Sequence, residues 1–325
     1  MTNFYILLIA IISLISCNDT DIKIVGNNSI IEANNSSAKI VSLETDKKVE
    51  SLKDKIISAT LCYSNNSEIF ISKNGKVKSI IKGNLYVPEI SPNGKQIAFT
   101  DVENGNRNIK IYDIETKNIT PLDINDNNYY GPTWSIDGGK IAFNIMSKGK
   151  WQVGIINIIN QKFELFEIDT DIGLHAPSWS LDNNYLLAHD LGFAYKYNLT
   201  NRTVDTLKLD MIDNENLGLS SSSKLLISAD NNYLIFAADL LNEKVIRDFH
   251  GPLSAIHSYN FKTKKIKRLS PKDMYSVTPW INKSGDVYFS GRYAPDKVSK
   301  IYKTDFSGSY ITTIVKNARF PSLSR

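Results

Sequence analysis

Short apolar runs alternate with tight polar turns along the chain, and one such pattern recurs five times. Each copy opens on an aromatic or aliphatic residue, usually followed by Ser, then an Asp or Asn, a turn and a short apolar run. The copies read Ile90-SPNGKQIAF, Trp134-SIDGGKIAF, Trp179-SLDNNYLLA, Ile227-SADNNYLIF and Trp280-INKSGDVYF, with first and last residues nine apart in all five. Their leading residues are spaced by 44, 45, 48 and 53 positions. A fixed unit with variable spacing is what insertions between repeated structural units produce. The leader ends one strand, an N-G, G-G or S-G type turn follows, and the I-A-F or V-Y-F run starts the next strand. Two more strand-like runs lie downstream, 109–114 and 118–122 after the first copy, 301–306 and 310–314 after the last. Four strands per unit predict a propeller blade.

The ends of the chain decide the number of blades. Strand candidates at 56–63, 68–72 and 76–81 precede the first copy with no leader ahead of them. The chain finishes on Phe320-PSLSR, the start of a motif, with Leu323 lying 43 positions beyond Trp280. The C-terminal strand is therefore predicted to complete the first blade. The fold class is all-β, a closed six-bladed β-propeller of four-stranded blades. The repeated pattern, clearest at 132–143, resembles the β-propeller repeat of TolB and its relatives over residues 56–325. That resemblance implies the fold. Propellers of this kind serve as periplasmic scaffolds, peptidase gating domains and polysaccharide lyases, so it does not imply one function. TolB itself carries an α/β domain ahead of its propeller, where this chain has a short polar tract, and Tol–Pal function is not implied.

Residues 4–15 form an apolar run of 12 residues. It is too short for a bilayer core, which takes about 20, but it fits the apolar region of a signal peptide. The run leads into Leu14-Ile15-Ser16-Cys17, which resembles the bacterial lipobox. The resemblance implies cleavage before Cys17 and lipid on Cys17. The predicted organisation is a signal peptide over 1–16, a polar tether over 17–54 and the propeller over 55–325. Location follows: the bacterial cell envelope, held to a membrane by lipid. With Cys17 lipidated, Cys62 has no disulfide partner, and its apolar surroundings at 56–63 predict a buried thiol.

Charge removes one class of partner. With 38 basic and 34 acidic residues the net charge is +4, and no run of five like charges occurs. No basic stripe suits a nucleic acid. The nucleophile-elbow, zincin, P-loop and dinucleotide-binding signatures are all missing from the sequence, and no cofactor or metal is expected. Asp137, Asp182 and Asp230 recur at equivalent turns and so read as structural, and Trp134, Trp179 and Trp280 read as blade-packing residues.

The longest insertions, 209–222 and 238–254, fall in an inter-blade connection and a second-to-third-strand loop, which share one propeller face. Long loops gathered on one face of a rigid scaffold mark a binding face. The candidate ligand-binding residues there are Tyr130, His175, His189, Asp190, His250, Arg292 and Tyr293, with Arg107, Tyr129, Trp151, Phe249 and His257 nearby. The expected function is non-enzymatic binding of an envelope protein or glycan through this face. Two alternatives stand beside it. Oligogalacturonate lyases have TolB-like propellers, and that resemblance implies a metal held by His175, His189 and His250. The other alternative is a structural subunit of an envelope complex.

Overall fold

The computed structural model describes residues 59–325 apart from 66, 125–127, 167, 169 and 244–250, and the backbone of 22–26, 29–34 and 37–42. Cys17, Phe249 and His250 lie outside the described residues. The chain divides into two compact units, 1–58 and 59–325.

In the first unit, strands Ile22–Gly26, Ser29–Asn34 and Ser37–Ser42 form a three-stranded antiparallel sheet in sequence order. This meander falls within the tract whose polarity predicts a tether. The Ile and Val residues that look scattered in the sequence fall opposite one another in register, Ile24 with Ile31 and Ile31 with Ile40. β-branched residues at paired positions are what a strand selects.

The second unit is a six-bladed β-propeller. In the first blade Arg319–Leu323 is innermost, followed outward by Leu61–Ser64, Glu68–Lys73 and Lys76–Lys82. The second blade runs Leu85–Ile90, Gln96–Glu103, Asn106–Asp113 and Ile119–Pro121. The third is Tyr129–Trp134, Lys140–Ser147, Lys150–Asn157 and Phe163–Phe166. The fourth is His175–Trp179, Tyr185–His189, Phe193–Asn198 and Val204–Lys208. In the fifth, Leu217–Gly218 and Leu226–Ile227 share the innermost position against Tyr233–Leu240, with Ser254–Asn260 and Lys265–Arg268 outside. The sixth is Met274–Ile281, Asp286–Tyr293, Lys300–Asp305 and Thr312–Lys316. As the sequence predicts, the C-terminal strand pairs with Leu61–Ser64 and closes the ring.

The repeated turns of the second to fifth blades are each built by one small network. The Ser228 hydroxyl donates to the Asp230 carboxylate at 2.6 Å and accepts the Tyr233 amide at 2.9 Å, while Asp230 also accepts the Asn232 amide at 3.0 Å. Ser135 with Asp137 and Ser180 with Asp182 repeat it. The donors hold the Asp230 carboxyl below its usual range, the Ser228 hydroxyl most of all. The repeated aspartates are thus structural, as their recurrence indicates.

Blades pack face to face. Cys62 and Ile69 of the first blade meet Ile90, Ile97 and Phe99 of the second in one apolar cluster, and Ala98 and Ile109 of the second meet Trp134 and Phe143 of the third. Burying each of these isoleucine and phenylalanine side chains contributes about 1.5–3 kcal/mol. Cys62 is fully buried, and desolvation pushes its thiol far above the usual range, so it behaves as a small apolar residue.

Two details depart from the sequence expectation. In the sixth blade the strand-ending position belongs to Ile281, which pairs with Val287 as Ile90 pairs with Ile97, and not to Trp280. The turn there is one residue shorter: Asn282 N–H bonds the Asp286 carbonyl, whereas Ser91 N–H bonds that of Gln96. In the fifth blade, part of the insertion read as a loop belongs to the innermost strand. Gly218 pairs with Asp239 and Leu226 with Ile235, so residues 219–225 bulge opposite only 236–238. The short helix Asp210–Asn214 precedes this bulge.

Candidate functional site

The innermost strands surround an axial channel with a volume of about 120 Å³. In each blade the residue just before the strand-ending leader lines it: Glu89, Thr133, Ser178, Leu226, Trp280 and Ser322. The residue two positions earlier also lines it: Val87, Gly131, Ala176, Lys224, Thr278 and Phe320. Five of those six precede proline and adopt left-handed φ between 48° and 68°, at a bulge in each strand. For a non-glycine residue that conformation costs roughly 1–2 kcal/mol. Its recurrence at one site shows that the ring geometry imposes it.

Lys224 replaces the apolar or small residue of the other blades and reaches Glu89 at 3.0 Å. Glu89 belongs to the second blade and Lys224 to the fifth, so the ion pair spans a diameter of the ring. The other Glu89 oxygen accepts the Thr133 hydroxyl and the Trp134 amide, each at 3.0 Å. The Trp134 indole N–H donates to the Glu89 carbonyl and the Trp179 indole N–H to that of Thr133, both at 3.0 Å. These tryptophans therefore stitch each blade to the one before it. Trp280, displaced by the short turn, makes an edge contact with Tyr288 and lies under the Arg325 guanidinium at 5.3 Å.

The predicted site residues that are described lie at one end of their blades, distributed over the third, fourth and sixth. Tyr130 stands edge-on to Trp151, ring centroids 5.1 Å apart, and Arg107 lies over both rings at 4.4 and 4.9 Å. The Arg107 Nε donates to Asn128 Oδ1 at 3.0 Å, which fixes the guanidinium. Burial raises the Tyr130 phenol and Arg107 opposes that rise.

His175, His189 and Asp190 come together in the fourth blade. His175 and His189 are opposite in register, with ring centroids 6.1 Å apart. The Leu191 amide donates to His189 Nδ1 at 3.2 Å, which assigns the proton to Nε2, 2.9 Å from the Ser223 carbonyl. Both nitrogens are therefore used within the fold. Asp190 accepts the Gly192 and Phe193 amides at 3.1 and 2.8 Å and the Tyr195 hydroxyl at 2.6 Å, organising the hairpin loop. Desolvation pushes His189 down to about 4, with His175 adding to the effect, and lowers His175 as well. His257 is separate, in the third strand of the fifth blade, stacked on Phe236. Among the described residues, no three His, Cys, Asp or Glu side chains are grouped so as to hold a metal ion.

Arg292 and Tyr293 end the second strand of the sixth blade. Arg292 Nη1 donates to the Asp296 carbonyl at 3.2 Å, and the side chain lines a cleft shared with Asn65 and Arg319 of the first blade. Sequence reasoning missed Glu89, Lys224 and Arg319. The usable signal was the repeat itself, because alternation turns the residue before each leader away from the blade core.

Closure, blade order and repeat define a six-bladed β-propeller of the TolB-like fold. No family model matches the chain, and no curated protein matches it by sequence. Among solved structures, TolB from Acinetobacter baumannii is similar with a TM-score of 0.63 at 13% identity, over 93% of this chain and 81% of that one. A putative TolB from Agrobacterium tumefaciens gives 0.57 at 13% identity, over 81% and 91%. A chain of a nidogen/laminin complex gives 0.59 at 10% identity, over 82% and 98%.

Proposed function

We propose that the protein is an envelope lipoprotein, anchored through Cys17, whose propeller binds a partner through its loop face without catalysing a reaction. The observation that carries this reading is the Arg107–Tyr130–Trp151 stack. Arg, Tyr and Trp are the residue types that dominate binding hot spots, and here they are held in place before any partner arrives. Ile172, 59% exposed, projects from the connection that bonds the Trp151 carbonyl through Leu174 N–H at 2.8 Å. An exposed aliphatic side chain beside that stack favours a protein partner over a glycan. His189 supports the non-enzymatic reading, because it spends both ring nitrogens on the backbone of its own fold. The apolar run 4–15 and the Leu-Ile-Ser-Cys17 sequence support the anchor.

The test is photo-crosslinking in intact cells with a benzophenone side chain at position 172, and at position 159 as control. Ile159 is 85% exposed in the third-to-fourth-strand turn of the third blade, on the opposite face. The expected result is one discrete crosslinked protein from position 172, lost in Trp151→Ala, and none from 159. Equal crosslinking from both positions, or none from either, overturns the reading. A crosslink to protease-resistant glycan transfers it to the glycan.

A further inference from the structure

Charge on the propeller rim is divided unevenly between blades. The outer hairpins of the fifth, sixth and first blades, taken from the end of the third strand to the end of the fourth, are 261–268, 306–316 and 74–82. They carry net charges of +5, +1 and +3. The same segments of the second, third and fourth blades, 114–121, 158–166 and 199–208, carry 0, 0 and +1. The fifth, sixth and first blades are neighbours in the ring, joined through the apolar clusters around Met274 and Trp280. One arc of the rim is therefore strongly basic and the other nearly neutral. We propose that the basic arc rests on an anionic membrane surface, through Lys262, Lys264, Lys265 and Lys267 of the fifth blade and Lys76 and Lys78 of the first.

All six lysines are exposed, and none of them holds an ion pair among the described residues. The hairpins hold them outward. Asn260 Oδ1 accepts the Lys262 and Thr263 amides at 3.0 and 2.8 Å, which closes the fifth-blade turn. Ile266 packs into the cluster between the fourth and fifth blades, so alternation turns Lys265 and Lys267 to the other side of the strand. Several acids of the same blades are already paired: Glu68 with Lys82, Glu243 with Arg268, Asp296 with Lys300 and Asp286 with Lys303. Asp230 and Asp273 are exposed on the fifth blade and offset part of its charge, but the four lysines there outnumber them. No run of like charges marks the arc in the sequence, because hairpins from opposite ends of the propeller supply it.

Side-chain type selects the partner. All six cations are lysines, compact charges without the arginine fork, which suit a field spread over many headgroups better than one shaped anion. They stand on two blades with the sixth between them, so the partner is an extended surface. Val77, Ile311 and Ile314 are exposed along the same arc and give an interface apolar contacts. Ile119 and Val204 are exposed on the other arc, so the lysines are what distinguish this one.

The chain also enters the propeller here. Leu61 pairs with Ser72 and Lys73 with Lys76, so the entry at Thr60 and the turn before Lys76 lie at the same end of the first blade. A lipid on Cys17 would hold that end toward the bilayer. Only this last argument leans on the anchor reading; the charge argument does not need it.

The experiment is sedimentation of the full chain, carrying Cys17→Ser, with vesicles of phosphatidylcholine alone or with about 30% phosphatidylglycerol, at about 0.1 M salt. The reading is the ratio of the two partition coefficients. Residues 1–58 carry a net charge of −1, so their apolar run raises both coefficients alike and the ratio reports the propeller. Each lysine at an anionic surface strengthens binding about fivefold. With half of the six engaged, a ratio of at least about a hundredfold is expected, falling steeply at high salt. Replacing Lys262, Lys264, Lys265 and Lys267 together by Gln should lower it at least about 25-fold, and Lys76→Gln with Lys78→Gln at least about fivefold. Lys117→Gln, Lys162→Gln and Arg202→Gln remove three exposed cations from the corresponding turns of the second to fourth blades. That control should leave the ratio within about twofold. An environment-sensitive fluorophore at Thr263→Cys should shift to the blue on anionic vesicles, and the same label at Ile172→Cys should not. A ratio near one, a control as damaging as the fifth-blade variant, a folded four-lysine variant that keeps the ratio, or a blue shift at 172 and not at 263 overturns the proposal. Binding of soluble polyglutamate with no gain from phosphatidylglycerol transfers the arc to an acidic protein and also overturns it. Failure of lipid labelling at Cys17 removes the anchor alone and leaves this ratio standing.

Discussion

The ion pair across the channel gives a quantitative test of how the ring is held. Glu89→Ala removes three things at once. The Trp134 amide, buried in the third blade, loses its acceptor, at a cost of about 1–3 kcal/mol for a donor left unsatisfied. The Thr133 hydroxyl also loses a partner, though it can rotate. Lys224 is left without a counter-ion. Breaking a fully buried pair costs about 3–5 kcal/mol, but the Lys224 side chain is 21% exposed and water in the channel can replace part of the loss. About 1 kcal/mol is a fair share for the charge alone, and about 3 kcal/mol for the whole substitution.

Glu89→Gln separates the two contributions. Its amide oxygen can still accept from Thr133 and Trp134, and only the charge is lost, so about 1 kcal/mol is expected. Lys224→Met should cost a similar amount, and the double variant should show a coupling of about 1 kcal/mol. The assay is urea unfolding, with an unchanged m value required for comparison. For a body of this size the Ala variant corresponds to a fall in Tm of roughly 6–12 °C. If Glu89→Ala and Glu89→Gln cost the same, the hydrogen-bonding role is refuted. Zero coupling between Glu89→Gln and Lys224→Met refutes the contribution of the ion pair.

Two further outcomes follow from the fold. His189 and His257 are each pushed down to about 4, by burial first, with His175 adding at His189 and Arg268 at His257. The unfolded chain, with histidines near 6.5, takes up protons first as pH falls. Stability from these groups is therefore complete above about pH 6.5, declines between 6.5 and 4, and levels off below. Each group contributes up to about 3 kcal/mol of that decline. A urea midpoint unchanged from pH 7 to 4.5, or a slope unaffected by His257→Gln, contradicts it. Deleting residues 319–325 exposes the edge of Leu61–Ser64 and removes the Ser322 hydroxyl that accepts the Ile90 amide at 2.8 Å. The shortened chain should self-associate through that edge, and a synthetic 316–325 peptide should restore the monomer; a stable monomer without the peptide refutes ring closure as the source of stability.

What could be read from the sequence was what the chain encodes locally. The Ser and Asp of each turn lie within six residues of their partners, so the turn, its strands and their number were legible from Ile90, Trp134 and Trp179 onward. The slip at Trp280 has the same root: a turn shortened by one residue, preceded by a tryptophan, preserves the nine-residue spacing while shifting the true leader to Ile281. Candidate chemistry was harder because residue type does not say whether a side chain is already engaged. The nitrogens of His189 are taken by a backbone amide and a backbone carbonyl, partners that no pattern of side chains could announce. Glu89 and Lys224 lie 135 positions apart and are opposed only because they stand three blade positions apart in a ring of six. Their columns in the repeat nevertheless carry the information. Glu89 stands between Pro88 and a leader, and Lys224 stands where the other blades place the residue before proline. Once six blades close, both columns must face the axis. A charge of each sign in those columns, on blades half a turn apart, then marks a pair across the channel.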